Sequence, residues 1–254
     1  MHFRSASVQF RLSKLCREEF SKELYRPGVI SLARIVWGSL GGGLLLGLIA
    51  ILSGKTEIKV LYPPLAATCF INTTCVFLRV ARPKSVVVGH TVASICGLAG
   101  VWIGNYIDPG TEFIIPLKLG LSVLLAAVFM QIFDADHPPA AATAAIPAIL
   151  PLPMPWYLLP LHMAWGATIT VIFAFIWNRI WFEFPARDSD NYVKNAGLYM
   201  EKVQIAGVAI CIVSCIIMCF QSISPTVRII GLCGMTVGNI ILGTHHFKIL
   251  SQVN

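Results

Sequence analysis

Eight long, nearly uncharged apolar blocks dominate this chain, at residues 33–52, 60–78, 86–104, 112–133, 137–150, 157–177, 203–220 and 227–243, with most charged residues gathered between them. A hydrocarbon core of about 30 Å needs about 20 apolar residues in a helix, so most of these blocks have the length of a membrane crossing. Charged residues make up 12% of the chain and hydrophobic ones 56%, where a soluble domain carries about 25% charge. A soluble globule is excluded. The fold expected is an all-α, polytopic helical membrane protein whose first partner is the lipid bilayer.

The net charge is +7, but the basic residues sit at the ends of the apolar blocks rather than in one patch. This speaks for topology signals and against a nucleic-acid partner. If all eight blocks cross, segments 1–32, 79–85, 178–202 and the tail 244–254 share one side and hold most of the Lys and Arg, while the opposite loops hold only Lys55, Lys59 and Arg228. Positive loops stay in the cytoplasm, so both termini are expected there and the protein in the cell membrane. Trp102, Tyr106, Trp156 and Tyr157 would mark the outer interface, Trp177 and Trp181 the inner one. Residues 1–32 lack the apolar core of a secretory signal and carry Glu18, Glu19 and Glu23. Leu12, Leu15, Cys16, Phe20 and Leu24, spaced by three and four, predict a helix lying at the headgroups. Most of the cysteines fall inside apolar blocks, no CxxC pair occurs, and Cys211, Cys215 and Cys219 recur along one helix face. They are expected as buried thiols, with no metal or other cofactor.

The chain also repeats itself. Residues 62–71 read YPPLAATCFI and residues 137–146 read HPPAAATAAI, placing Pro63/Pro138, Pro64/Pro139, Ala66/Ala141, Ala67/Ala142, Thr68/Thr143 and Ile71/Ile146 in register. Each copy is the middle of three apolar blocks, so 33–104 and 112–177 are expected as two membrane repeats, the second inverted, followed by a C-terminal helix pair over 203–243. Inverted repeats are characteristic of secondary transporters. Glycine pairs at four-residue spacing (Gly38/Gly42, Gly43/Gly47, Gly100/Gly104, Gly234/Gly238) suit close helix packing.

Pro-Pro is tolerated only in a first helical turn, so Tyr62 and His137 are expected to precede helix starts. The helix after His137 is too short to span, and its start is expected inside the membrane, lining protein or a wet cavity. Two such starts facing each other would form an anion site from unpaired N–H groups and the hydroxyls of Thr68 and Thr143. The candidate substrate-binding residues are therefore Tyr62, Pro63, Pro64, Thr68, His137, Pro138, Pro139 and Thr143. The alternative is that Pro-Pro merely starts two tightly packed helices. Asp134 or Asp136 would cap the second helix electrostatically, His137 or Asp136 would carry a coupled proton, and His90, buried in a membrane block, is either functional or a hydrogen-bonded structural residue.

The string DADHPPAAATAAIPAIL, with PPLAAT and the later Pro83-x5-Gly89-His90, resembles the HPP family of integral membrane proteins over residues 33–180. Similar proteins of plant plastids are nitrite transporters. This chain departs from the family pattern at Ala141, at Leu65-Ala66 and at Lys84-Ser85, where the family often has Gly, Phe-Gly and Arg-Asn. The resemblance implies a transporter or channel for a small inorganic anion, nitrite or nitrate, which could assemble as a homo-oligomer. The competing classes are an intramembrane enzyme acting on a lipid or phosphate substrate, with Asp134, Asp136 and His137 as acid, base or ligands, and a non-catalytic membrane subunit.

Overall fold

A computed structural model describes residues 9–11, 29–76, 78–108, 110–179, 202–219 and 225–250. Within them lie eight α-helices: α1 (Leu32–Thr56), α2 (Tyr62–Thr74), α3 (Pro83–Ile107), α4 (Ile114–Ile132), α5 (Pro138–Ile149), α6 (Leu159–Arg179), α7 (Lys202–Cys219) and α8 (Pro225–Leu250). The only strands among the described residues are Gln9–Arg11 and Val29–Ser31, a three-residue parallel pairing. The interfacial helix expected over residues 12–24 lies outside the described residues. Among the described residues six helices are long and apolar enough to cross a membrane, and the two headed by Pro-Pro are not among them. The short pair have 13 and 12 residues. At 1.5 Å per residue they reach about 20 and 18 Å, well short of a hydrocarbon core. The last helix runs on to Leu250 rather than stopping at 243, because His245 to Leu250 contain no Gly or Pro to end it.

Each short helix follows a helix end closed by a residue in the left-handed region, Glu57 (φ 57°) after α1 and Asp134 (φ 50°) after α4. After Glu57 the chain runs extended to Leu61, with Ile58, Val60 and Leu61 buried and Glu57 and Lys59 exposed. Buried backbone outside a helix must find protein partners. Here it does: Ser53 donates to the Ile58 carbonyl at 2.7 Å, His162 Nδ1 to the Lys59 carbonyl at 2.9 Å, and the Leu61 N–H to Met163 Sδ at 3.3 Å. After α4, the N–H groups of Asp134 and Ala135 return to the carbonyls of Gln131 and Met130. This is the paired closure of a helix C-terminus, with Asp134 in the left-handed position usually given to glycine. Pro147 lies inside α5. It cannot donate to the carbonyl one turn back, and the helix stops two residues later.

Packing contacts fix the directions. Gly38 lies under Thr74, and the Tyr62 hydroxyl meets Ser53, so α2 runs back along α1. Ser122 donates to the Gly97 carbonyl and Gly104 lies on Lys118, so α4 runs against α3. Gly89 beside His137 and Gly97 beside Ala144 set α5 alongside α3 in the same direction. Gly166 beside Leu65 and the Asn178 bond to the Asn72 carbonyl do the same for α6 and α2. Gly207 and Gly231 on α7 and α8 meet Leu242 and Met218 across an antiparallel pair, and Thr91 bonds Asn239 while Val88 lies near Gly243, so α8 runs against α3. Directions therefore alternate along the chain, and the start of α1 and the end of α8 fall on one face of the bundle.

Most glycine stripes are seams, as their spacing suggests, but Gly43 and Gly47 meet nothing within 4 Å. Trp102, Tyr106, Trp156 and Tyr157 are exposed. Trp177 is instead drawn into a stack with Trp37, ring centroids 4.1 Å apart, above Gly41. Trp181 lies outside the described residues.

Single cysteines at Asn105 and Leu152, in a cysteine-free background, are expected to react with an impermeant maleimide from the same side of the membrane, and one at Leu78 from the other. Labelling of Asn105 and Leu152 from opposite sides would contradict the alternating order.

Candidate functional site

Thr68, His90, His137 and Thr143 come together where α2, α3 and α5 meet, each no more than 1% exposed. Thr68 stands six residues before the end of α2, and His90 seven residues into α3. The hydroxyl of Thr68 lies 2.7 Å from His90 Nε2 and 2.9 Å from His137 Nε2. On the far side of His90, Nδ1 is 2.9 Å from the Thr143 hydroxyl, and His137 Nδ1 is 2.8 Å from the carbonyl oxygen of Val80. The two imidazoles lie edge to face with centroids 5.2 Å apart.

Hydrogen-bond bookkeeping assigns the protons. A carbonyl only accepts, so His137 Nδ1 carries hydrogen and, in the neutral ring, Nε2 is an acceptor. With its one hydrogen turned to His137 rather than to the Pro64 carbonyl 3.0 Å away, Thr68 accepts from His90, whose Nε2 then carries hydrogen. His90 Nδ1 is left to accept from Thr143. One carbonyl thus orders four side chains head to tail: Thr143 to His90 to Thr68 to His137 to the Val80 carbonyl. The two histidines are held in opposite tautomers.

Gly89 makes this contact possible. A Cβ there would lie 2.9 Å from the His137 Cβ and 3.0 Å from the Ala135 carbonyl oxygen, so only glycine lets the Ala135–His137 turn rest on α3 and bring His137 beside the next residue, His90. Gly97 does the same one stretch further on, where a Cβ would lie 2.6 Å from the Ala144 carbonyl oxygen.

The expected arrangement of helix starts is not what forms. The first residue of α2 is Tyr62 itself, with Leu61 before it, and the Tyr62 hydroxyl turns to Ser53 at 3.2 Å. His137 faces Thr68 in the middle of α2, so the two starts do not oppose each other. Nor does α5 offer a row of free donors. Pro138 and Pro139 have no N–H, and the Ala140 N–H donates to the His137 carbonyl at 2.8 Å. No side-chain hydrogen bond caps the N-terminus of α5. Asp134 is instead ion-paired with Arg79 and lies 3.6 Å from the ammonium of the buried Lys84. Asp136 stands half-buried outside the cluster. Among the described residues no three His, Cys, Asp or Glu converge as a metal site. A cavity of about 410 Å³ lies elsewhere, between α3, α6 and α8, with Val88, Ile95, Phe133 and Leu161 in its wall.

Sequence reasoning noted Lys84 only as a departure from the family pattern and missed Asn72 and Asn178. Asn72 donates to the Thr68 carbonyl and Asn178 to the Asn72 carbonyl, extending the polar lane along α2. An uncharged amide inside an apolar block was the available signal for Asn72, and Asn178 stands just past the end of one.

Residues 27–187 match the family model described as HPP, transmembrane region. The chain belongs to the HPP family. Neither a curated protein nor a solved structure matches it. Within the HPP match lie α1 to α6 and all four residues of the polar cluster, whereas α7 and α8 lie beyond it.

Gly89→Ala is expected to destabilise the protein by about 1–3 kcal/mol, because the turn must move off α3. Thermal unfolding in detergent should show a lower midpoint than wild type, while Gly54→Ala, with nothing within 4 Å, leaves it unchanged. Equal midpoints for all three would contradict the contact.

Proposed function

We propose that this HPP-family protein is a transporter or channel for a small monovalent anion, nitrite or nitrate, which passes between α2 and α5 at Thr68, His137 and Thr143. The observation that carries the reading is the buried cluster itself. Ionisable side chains inside a bilayer are costly, and a buried pair of histidines is by default a candidate for a substrate or ion pathway. Hydroxyl and imidazole N–H groups can turn from one another to an anion without leaving a charge unpaired. Lys84 adds a positive charge near the turn that holds His137, and as a point charge rather than a planar fork it suits a small ion without fixing its orientation.

In this reading Tyr62, Pro63 and Pro64 form the approach from the α2 side, and Pro138 and Pro139 hold His137 in place. His90 and Asp136 do not touch the ion. The two triplets, α1 to α3 and α4 to α6, act as inverted repeats. Support comes from the matched Pro-Pro strings, the left-handed closures at Glu57 and Asp134, and the opposite directions of α2 and α5. The cytoplasmic side is the face carrying Arg79, Arg82 and Lys84.

Uptake of nitrite, nitrate, formate and chloride into proteoliposomes tests the proposal. Nitrite or nitrate is expected to enter faster than into protein-free vesicles. Thr143→Val, which removes one hydroxyl, is expected to cost about 1–2 kcal/mol of binding, about a tenfold rise in apparent KM. Uptake equal to empty vesicles for all four ions would overturn it.

A further inference from the structure

We propose that Thr143, His90, Thr68 and His137 form a proton relay closed by a latch. His137 passes its proton on only when its Nδ1–H leaves the Val80 carbonyl, and the Arg79–Asp134 ion pair keeps that carbonyl in place. The inference deepens the transport reading by naming the proton as a second substrate of the same site.

The heavy-atom positions serve two proton states equally well. At rest every bond in the chain points toward Val80. A proton delivered to His90 Nδ1, as the Thr143 hydroxyl turns away, makes that ring an imidazolium. Its Nε2 proton passes to the Thr68 oxygen as the Thr68 hydrogen passes to His137 Nε2. His90 is again neutral, now with hydrogen on Nδ1, Thr68 is again a hydroxyl, and His137 is the imidazolium. One proton has moved and only N–H and O–H bonds have changed. In this loaded state His137 Nε2 donates to Thr68, Thr68 donates to His90 Nε2, and His90 Nδ1 donates to Thr143. Every distance is already that of a hydrogen bond. The Pro64 carbonyl, 3.0 Å from the Thr68 oxygen, gives this hydroxyl a further acceptor while it turns.

The relay ends at a carbonyl, which cannot take a proton. Release requires the Nδ1–H of His137 to reach water or the carboxylate of Asp136, one residue before it. Val80 lies in the short turn Arg79–Ala81, and Arg79 ties that turn to Asp134, three residues before His137. Opening this pair separates the turn from the HPP segment and uncovers Nδ1. The charged and titratable groups around His137 are Arg79 in the short turn, Arg82 and Lys84 at the start of α3, His90 further along it, and Asp134 and Asp136 on its own segment. No acidic or basic residue lies on α2. Arg79 and Lys84 oppose a proton on His137 and Asp134 favours it, so the pair that latches the carbonyl also sets opposite charges near the ring.

The test is proton leak into proteoliposomes holding a pH-sensitive dye, driven by a potassium potential with valinomycin and with gluconate as the sole anion. Wild type is expected to leak no faster than empty vesicles, Arg79→Gln and Asp134→Asn several-fold faster, and Arg79→Lys as slowly as wild type. Adding His90→Gln to either leaky variant is expected to return the leak to baseline. If one of the two single variants does not fold, the other reads the same latch. Leak at the wild-type rate in the latch variants would overturn the proposal, as would leak that survives His90→Gln or wild type leaking as fast as Arg79→Gln. Nitrate uptake by the same preparations separates the two readings. The leak pattern without nitrate uptake sinks the anion and keeps the relay, and nitrate uptake without the pattern does the reverse.

Discussion

Two imidazoles and two hydroxyls buried inside the helix bundle bond one another and two backbone carbonyls, and the fold is arranged around that constraint. In water each donor and acceptor would be satisfied by solvent; in a bilayer an unmade bond costs several kcal/mol. The Thr68 hydroxyl can satisfy both rings only if α2, α3 and α5 meet at one point. Two of these three helices are short because they are headed by Pro-Pro and delivered by turned or extended chain. A helix spanning the full bilayer in place of α5 would carry His137 away from the Val80 carbonyl. Gly89 and Gly97 then admit the turn and α5 to within backbone contact of α3.

Much of this was legible in the chain. The apolar blocks gave the eight helices to within a few residues at most ends, and the 75-residue offset pointed to Thr68 and Thr143 as equivalent positions. Proline chemistry marked α2 and α5 as starting where other helices do not. What could not be read was which parts of the two motifs touch. The repeat suggested start against start, whereas the bundle sets the middle of α2 against the start of α5, because α2 approaches through the extended segment Glu57–Leu61 and α5 through a closed turn at Asp134. The long-range pairings of His90 with Thr68 and of Arg79 with Asp134 have no local signal at all. Nor does the Val80 carbonyl, a backbone group whose identity the side chain does not reveal.

The helices beyond the HPP match are not separate from the site. Asn239 of α8 accepts a hydrogen bond from Thr91 at 2.8 Å, beside His90, and Thr168 of α6 reaches Met235 Sδ at 3.7 Å. α8 therefore packs on the flank of α3 that carries Val88 and Thr91, next to the flank that presents His90 to α2 and α5. Its own seam is built from Gly231, Gly234 and Gly238 against Met218, Ser214 and Cys211. These small-residue contacts let two helices pair without any hydrophobic driving force, which a lipid solvent does not supply.

The central claim is that a single carbonyl orders the whole buried chain and so holds the two histidines in opposite tautomers. Nitrogen-15 spectra of histidine-labelled protein in lipid bilayers at neutral pH, assigned through His90→Gln and His137→Gln, test it most directly. The account predicts a protonated Nε2 with a bare Nδ1 for His90 and the reverse for His137. Two rings in the same tautomer, or averaged signals of the kind a solvated imidazole gives, would contradict it.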